Sequence, residues 1–245
     1  MKKVFIAISI LFVLAAHAQD ESAKALSVNA ELVSTYVWRG SYIAGTSIQP
    51  SMDWNVGSFT AGAWGSVDIA GFGYKEVDLF VSYSYKNFTL GIFDIWVAGE
   101  RAYNYFDFSK TTVHVFDAWL TYSFKRIPLN ISWYTAIAGD ETYTKHYTKN
   151  GKLKKAFPTY IEATHFFQIK DINLEATIAV SPWNSSVLYN RYDDGGRTNG
   201  FAVVNMSLKL SKELKMTDTY ALPVFGQLIY NPAKEDSFFV FGIKF

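Results

Sequence analysis

With 245 residues, a formal net charge of +1, 18% charged and 18% aromatic side chains and no cysteine, the chain excludes several classes at once. Near-neutral charge removes the polycation argument for nucleic acid, and the missing thiols remove a disulfide framework, a thiolate metal site and a lipidated N-terminal cysteine. Mean hydropathy is +0.03, and after residue 18 no stretch holds the roughly 20 consecutive apolar residues that a membrane-spanning helix needs.

Lys2 and Lys3, the apolar run Val4 to Leu14 and the small-x-small box Ala16-His17-Ala18 read as a secretory signal, residues 1–18, for export through the Sec pathway. Residues 19–245 are then expected as one domain starting at Gln19. Strand one places Val28, Ala30, Leu32, Ser34, Tyr36 and Trp38 outward against Asn29, Glu31, Val33 and Thr35 inward. The same alternation turns Asp53 and Trp64 inward on the next strands. Strand four sets Val77, Leu79, Val81, Tyr83 and Tyr85 against Glu76, Asp78, Ser82 and Ser84.

In strand five the set Phe88, Leu90, Ile92 would carry Asp94 to the outer face. A Lys or Arg facing lipid at mid-depth costs about 2–4 kcal/mol and an acidic group somewhat less, so a bulge near Phe93 is expected, turning Phe93, Ile95 and Val97 outward instead. Later strands put Asp117, Trp119, Glu162 and Glu175 inward. The last, Phe239 to Phe245, has apolar residues at every odd position and ends on Phe245, the aromatic carboxyl end expected to serve as an assembly signal.

About twelve such strands need a closed sheet, because lipid cannot satisfy an open backbone edge; the fold class is an all-β, closed antiparallel transmembrane β-barrel. Tight turns at Val56 to Ser58, Lys86 to Asn87, Lys125 to Pro128, Lys170 to Asp171 and Lys212 to Lys215 fit the periplasmic end. Longer connections at Gly40 to Thr46, Ala70 to Tyr74, Ala98 to Lys110, Gly139 to Pro158 and Trp183 to Gly200 fit the extracellular end, with a short last one at Asn231 to Asp236. Outward aromatics then gather at two levels: Trp38, Trp96, Trp183, Tyr230 and Phe239 above, and Trp54, Tyr83, Tyr85, Phe88, Tyr122, Phe124 and Phe245 below. Trp133 falls nearer mid-depth, outside either girdle.

Thr35-Tyr36-Val37-Trp38-Arg39-Gly40, then Ala61-Gly62-Ala63-Trp64-Gly65-Ser66-Val67-Asp68, Glu76-Val77-Asp78-Leu79-Phe80, Phe88-Thr89-Leu90-Gly91, the Phe116 to Phe124 strand and the terminal Phe245, in that order, resemble the TorF-like porin family. The likeness spans nearly the whole mature chain. Leu222-Pro223-Val224-Phe225-Gly226 with Asn231-Pro232 departs from the proteobacterial form and is more similar to a Bacteroidetes version. The resemblance implies a channel of unassigned substrate.

Inward carboxylates Glu31, Asp53, Glu76, Asp78, Asp117, Glu162 and Glu175 outnumber inward Arg39, Lys209 and Lys244, so an open lumen would favour cations; pairing among these groups is the alternative role. Inward Trp64, Phe80, Trp119, Tyr134 and Phe166 fill a narrow lumen or offer a stacking surface to solutes. Arg39, at the end of strand one, is expected to pair with an inward carboxylate such as Asp78 or Glu162. Lys145, Lys149, Lys152, Lys154 and Lys155 read as a solvated loop that lies within reach of lipopolysaccharide phosphates. Asp193-Asp194-Gly195-Gly196 reads as a turn rather than a calcium loop.

No catalytic arrangement is expected, since His114, His146 and His165 lack the Ser two residues on, or the Asp two residues before, of barrel hydrolases and proteases. The expected role is passive diffusion of small polar solutes across a Gram-negative outer membrane, without cofactor or metal. Expected partners are outer-membrane lipid and lipopolysaccharide, with periplasmic chaperones and the barrel assembly machinery during biogenesis. A plugged barrel with a structural or adhesive role is the alternative. The long loops Ala98 to Lys110, Gly139 to Pro158 and Trp183 to Gly200 are expected to constrict the mouth.

Overall fold

The structure, a computed structural model, describes residues 26–71, 73–98, 104–109, 112–147, 152–183 and 200–245. The expected signal and Gln19 start, Lys149 and the Asp193 to Gly196 turn lie outside these residues. Among them the strands are, in order, β1 (Leu26–Val33), β2 (Tyr36–Trp38), β3 (Ser41–Ala44), β4 (Ser47–Val56), β5 (Phe59–Asp68), β6 (Lys75–Tyr85), β7 (Phe88–Ala98), β8 (His114–Ser123) and β9 (Leu129–Gly139). They continue as β10 (Lys145–Tyr147), β11 (Leu153–Lys155), β12 (Thr159–Ile169), β13 (Ile172–Ser181), β14 (Ala202–Lys215), β15 (Ala221–Asn231) and β16 (Asp236–Lys244). Twelve of them close a barrel in the order β1, β16, β15, β14, β13, β12, β9, β8, β7, β6, β5, β4, while β2–β3 and β10–β11 form separate hairpins.

The alternation in the sequence dictates this sheet. Leu79, Leu90, Ile92, Leu120, Ile131, Leu228, Phe239 and Phe241 lie exposed on the outer face, whereas Asp78, Asp117, Ser132 and Val240 on the same strands are buried within. So broad an exposed apolar surface suits lipid rather than water, which makes the fold a transmembrane barrel. Aromatic pairs such as Phe59 with Tyr83 and Phe88 with Tyr122, each with ring centroids 4.8 Å apart, gird its lower edge.

Closure is made between β1 and β16, where Glu31, Leu32 and Val33 pair with Lys244, Ile243 and Gly242. Beyond that register the Phe245 N–H donates to the Ala30 carbonyl at 2.8 Å, and the Ala30 N–H donates to the Phe245 carbonyl at 3.3 Å. At the other end of the seam the Ser34 N–H donates to the Phe241 carbonyl, and the Phe241 N–H to Ser34 Oγ.

Several expectations are corrected. The last lower turn is not Lys212 to Lys215, which lie within β14 with Lys212 opposite Val224 and Lys215 opposite Ala221. The turn is residues 216–220, where the Met216 and Thr217 N–H groups both donate to the Tyr220 carbonyl. No bulge occurs at Phe93: β7 runs in unbroken register with β6 and β8, so Phe93 and Ile95 face inward and Asp94 faces outward between Leu79 and Phe116. The barrel's register shifts lie instead on β9, between the partners of Phe116 and Asp117, and on β14, between the partners of Ala179 and Val180. Trp133 stays mid-way along β9, opposite Leu120 on β8 and Ile161 on β12. Its ring lies 6.2 Å from that of Trp183.

Candidate functional site

Strand one does not continue to Trp38. After Val33 the chain bends at Ser34 and Thr35, where the Thr46 hydroxyl donates to the Ser34 carbonyl, and the hairpin β2–β3 leaves the wall. Its tip is Arg39-Gly40, with φ of 49° and 80°. Two left-handed residues in a two-residue loop make a type I′ turn, whose twist matches that of paired strands. Gly40 is required twice over, because a Cβ there would lie 2.2 Å from the Val204 carbonyl oxygen on β14.

The hairpin enters the upper lumen and is held on all sides. The Tyr36 ring rests 5.5 Å from Trp64 and 6.1 Å from Tyr74. Val37 packs against Val33, Ile229 and Val240, and Trp38 against Ile95, Val115 and Ala136. Trp38 is therefore an interior residue, not part of the girdle: once the chain leaves the wall, strand parity no longer decides its direction. Asn231 Nδ2 donates to the Gly40 carbonyl at 3.0 Å, and Lys234 Nζ to Ser41 Oγ at 3.1 Å. Burial pushes the Lys234 amine below its ordinary range, with Asp236 opposing.

Arg39 reaches the strands that stand across the ring from β1 and β4. Its guanidinium lies 2.8 Å from Asp117 Oδ2 on β8, and Asp117 is 2% exposed. The guanidinium also stands 4.3 Å from the Trp38 ring centre, 4.1 Å from Tyr134 on β9 and 5.2 Å from Tyr160 on β12. A desolvated cation over an aromatic face is worth about 1–2 kcal/mol, so the rings and the carboxylate together fix one position for this side chain. The partner is Asp117 rather than Asp78 or Glu162, because the hairpin carries Arg39 past β6 to the opposite wall.

Below Arg39 lies a cavity of about 410 Å³, running down to Asn130 and Phe166 near the lower strand ends. Glu162, Glu175, Tyr134, Thr164, Asn205 and Gln227 are among its lining groups, and the Asn205 amide donates to the Tyr160 hydroxyl at 2.9 Å. The other side of the lumen is filled. Trp119 stacks on Phe93 at 4.2 Å and meets Phe80 edge-on at 6.3 Å. These rings lie over Gly62 and Gly91, where an added Cβ would fall 2.4 Å from Phe80 and Trp119 respectively. Packing, not a free stacking surface, is what those aromatics provide.

The remaining expected residues are dispersed. Glu31 stands 3.9 Å from Lys244 at the closing seam. Asp53 lies on β4 opposite Gly62 and Ser27, near the lower end. Trp64 pairs across β5–β6 with Asp78, which is buried with Glu76 on β6, and the Tyr74 hydroxyl donates to Glu76 at 2.8 Å. Glu175 is cross-strand to both Phe166 and Lys209, and Lys209 Nζ stands 4.4 Å over the Phe225 ring. The lysine loop forms a short helix, Glu141–Thr144, followed by β10–β11, which sets Lys145 opposite Lys155 with Glu141 bonded to Lys145.

Neither histidine described by its side chain offers a free nitrogen beside a nucleophile. His114 Nδ1 meets Asp94 Oδ1 and its Nε2 meets the Tyr105 carbonyl oxygen, each at 2.6 Å; His165 lies outward, 5.8 Å from Phe167. Sequence reading missed Asn205, Tyr160 and Asn231 as contacts of the mouth. The Arg39-Gly40 pair was the signal available, since it marks a hairpin turn, though not the side to which that hairpin folds.

Gly40→Ala should displace the hairpin, since both φ and the approach to Val204 forbid a methyl group there. The expected loss is about 1–3 kcal/mol in urea unfolding of the reconstituted barrel. An unchanged midpoint would place the turn elsewhere.

No family model matches the sequence, and no curated protein matches it. Among solved structures, the NanC porin aligns with 11% identity over 89% of this chain and 98% of its own, at a TM-score of 0.50. The KdgM porin aligns with 8% identity over 89% and 97%, at 0.46, and a variant of the Rh. blastica porin with 9% identity over 91% and 74%, at 0.40. At such identities the NanC alignment shows a shared barrel fold.

Proposed function

We propose that this chain is an outer-membrane channel, of the kind the TorF-like resemblance implies, for passive diffusion of small polar solutes with a preference for cations. The observation that carries this reading is the polar cavity of about 410 Å³ beneath Arg39, lined by Glu162 and Glu175. Arg39, the basic residue of that lining, already has the Asp117 carboxylate 2.8 Å away, and Lys209, opposite Glu175, lies over the Phe225 ring, so the acidic groups set the field in the cavity. The girdled apolar wall supports a place in the outer membrane, reached by Sec export and the barrel assembly machinery. Lipid and lipopolysaccharide would then surround it.

Planar-bilayer recording tests the reading. The protein should conduct, and in a potassium chloride gradient its reversal potential should carry the sign of a cation-preferring pore. Glu162→Gln with Glu175→Gln should bring that potential at least halfway to zero. Conductance without cation preference would remove the charge argument and leave the channel.

The hairpin across the mouth favours a second reading, a plugged barrel with a structural role at the cell surface. Liposomes carrying the protein should swell in a small sugar or amino acid if the channel reading holds. Absence of swelling in the parent, with swelling restored by deletion of residues 36–44, would favour the plug.

A further inference from the structure

The outer wall carries a built polar cluster that channel function does not use. Asp94 faces outward from β7, between Leu79 and Phe116, and His114 faces outward beside Trp96. A carboxyl group in that position demands a hydrogen-bond partner, and one comes from the connection after β7. The Tyr105 hydroxyl donates to Asp94 Oδ2 at 2.7 Å. His114 Nδ1 lies 2.6 Å from Asp94 Oδ1, and Nε2 lies 2.6 Å from the Tyr105 carbonyl oxygen. His114 is 0% exposed and roofed by Phe108, its ring 4.5 Å away, while Asp94 keeps 19% of its side chain accessible.

That segment, residues 104–109, thus lies against the outside of the barrel and not over its mouth. The expectation that the Ala98 to Lys110 connection constricts the pore is corrected for these residues. The Tyr105 ring lies tilted 5.5 Å from that of Trp96, while Phe106 and Phe108 remain 76% and 50% exposed. Phe108 continues the apolar band of the wall, stacked 6.5 Å from Phe116, and Phe106 meets the Tyr105 ring edge-on at 5.4 Å. Burial, and then the bond to Asp94, push the Tyr105 phenol above its ordinary range, which keeps it a donor.

We propose that residues 104–109 form an aromatic anchor that inserts Phe106 and Phe108 into the boundary between headgroups and acyl chains of the outer leaflet, pinned to the wall by Asp94 and His114. The occupant of this surface is lipid, because the patch is continuous with the lipid-facing wall and rings at that depth bury apolar area in the interface. The inference rests on the membrane barrel and not on channel activity.

The cysteine-free sequence provides the test. Phe106→Cys carries the sole thiol, and a nitroxide attached to it in lipid vesicles reports collisions with oxygen, which concentrates in lipid, against those with a nickel chelate, which stays in water. Leu228→Cys on the outer wall and Lys154→Cys on β11 are the lipid and water references. The label at 106 should match the Leu228 reference, with an oxygen-to-nickel ratio several-fold above that at 154. A ratio like that at 154 overturns the anchor. Adding Asp94→Asn should shift the label at 106 several-fold toward the water reference, and no shift overturns the pinning role. If that variant does not assemble, Tyr105→Phe, which removes only the hydroxyl, is read in the same way.

Discussion

Arg39→Ala is expected to raise single-channel conductance several-fold and to sharpen cation preference. The guanidinium is the widest group at the tip of the inward hairpin and sits among Trp38, Tyr134 and Tyr160 above the cavity. Its removal widens the path beside the hairpin tip and also uncovers the Asp117 carboxylate, adding a negative charge at that level. Removing one partner of a buried pair costs about 3–5 kcal/mol, and the neighbouring cavity lowers that cost by admitting water. Arg39→Ala should therefore unfold at lower urea than the parent. Combining it with Asp117→Asn should restore part of the stability and reverse the gain in cation preference while keeping the conductance. A conductance equal to that of the parent would mean that ions pass elsewhere.

Deleting Phe245 should largely abolish the folded barrel. This residue contributes both backbone hydrogen bonds to Ala30, on a seam whose remaining register is Glu31 to Val33 against Gly242 to Lys244. A seam cannot be partly closed in lipid, where each unsatisfied backbone group costs several kcal/mol. Replacing Phe245 with alanine keeps those bonds and removes only the outward ring, so it separates seam closure from recognition of an aromatic end by assembly factors. The measurement is the fraction of heat-modifiable protein in outer-membrane preparations and after refolding in detergent. Loss in both settings on deletion, with loss only in cells for Phe245→Ala, is the expected pattern. Parent levels of folded deletion variant would refute the role of the seam.

Much of the wall was legible because a period of two is a local property: Val77, Leu79 and Val81 against Glu76 and Asp78 need no knowledge of the rest of the chain. What failed was non-local. Asp94 was moved inward by an expected bulge because alternation cannot reveal that Tyr105, eleven residues later, would supply its hydrogen bond. Trp38 was placed in the girdle because the departure from the wall at Ser34 has no strong sequence mark. Arg39 was recognised as a rim cation needing a carboxylate, but choosing Asp117 required knowing that the hairpin crosses to β8. Lys212 to Lys215 resembled a turn by composition, yet their exposed amines suit a strand end equally well, and Lys212 finds Asp171 2.8 Å away.

The hairpin that carries Arg39 ties together two arcs of the wall that share no ladder. One end is continuous with β1 and β4, and the other is fastened through Arg39 to β8 and through Gly40 to β14 and β15. It acts as a tie-rod across the ring, so the cross-section is fixed from within as well as by strand number and tilt. A change of one residue in the rod then alters both the aperture of the mouth and the freedom of the wall to deform around it.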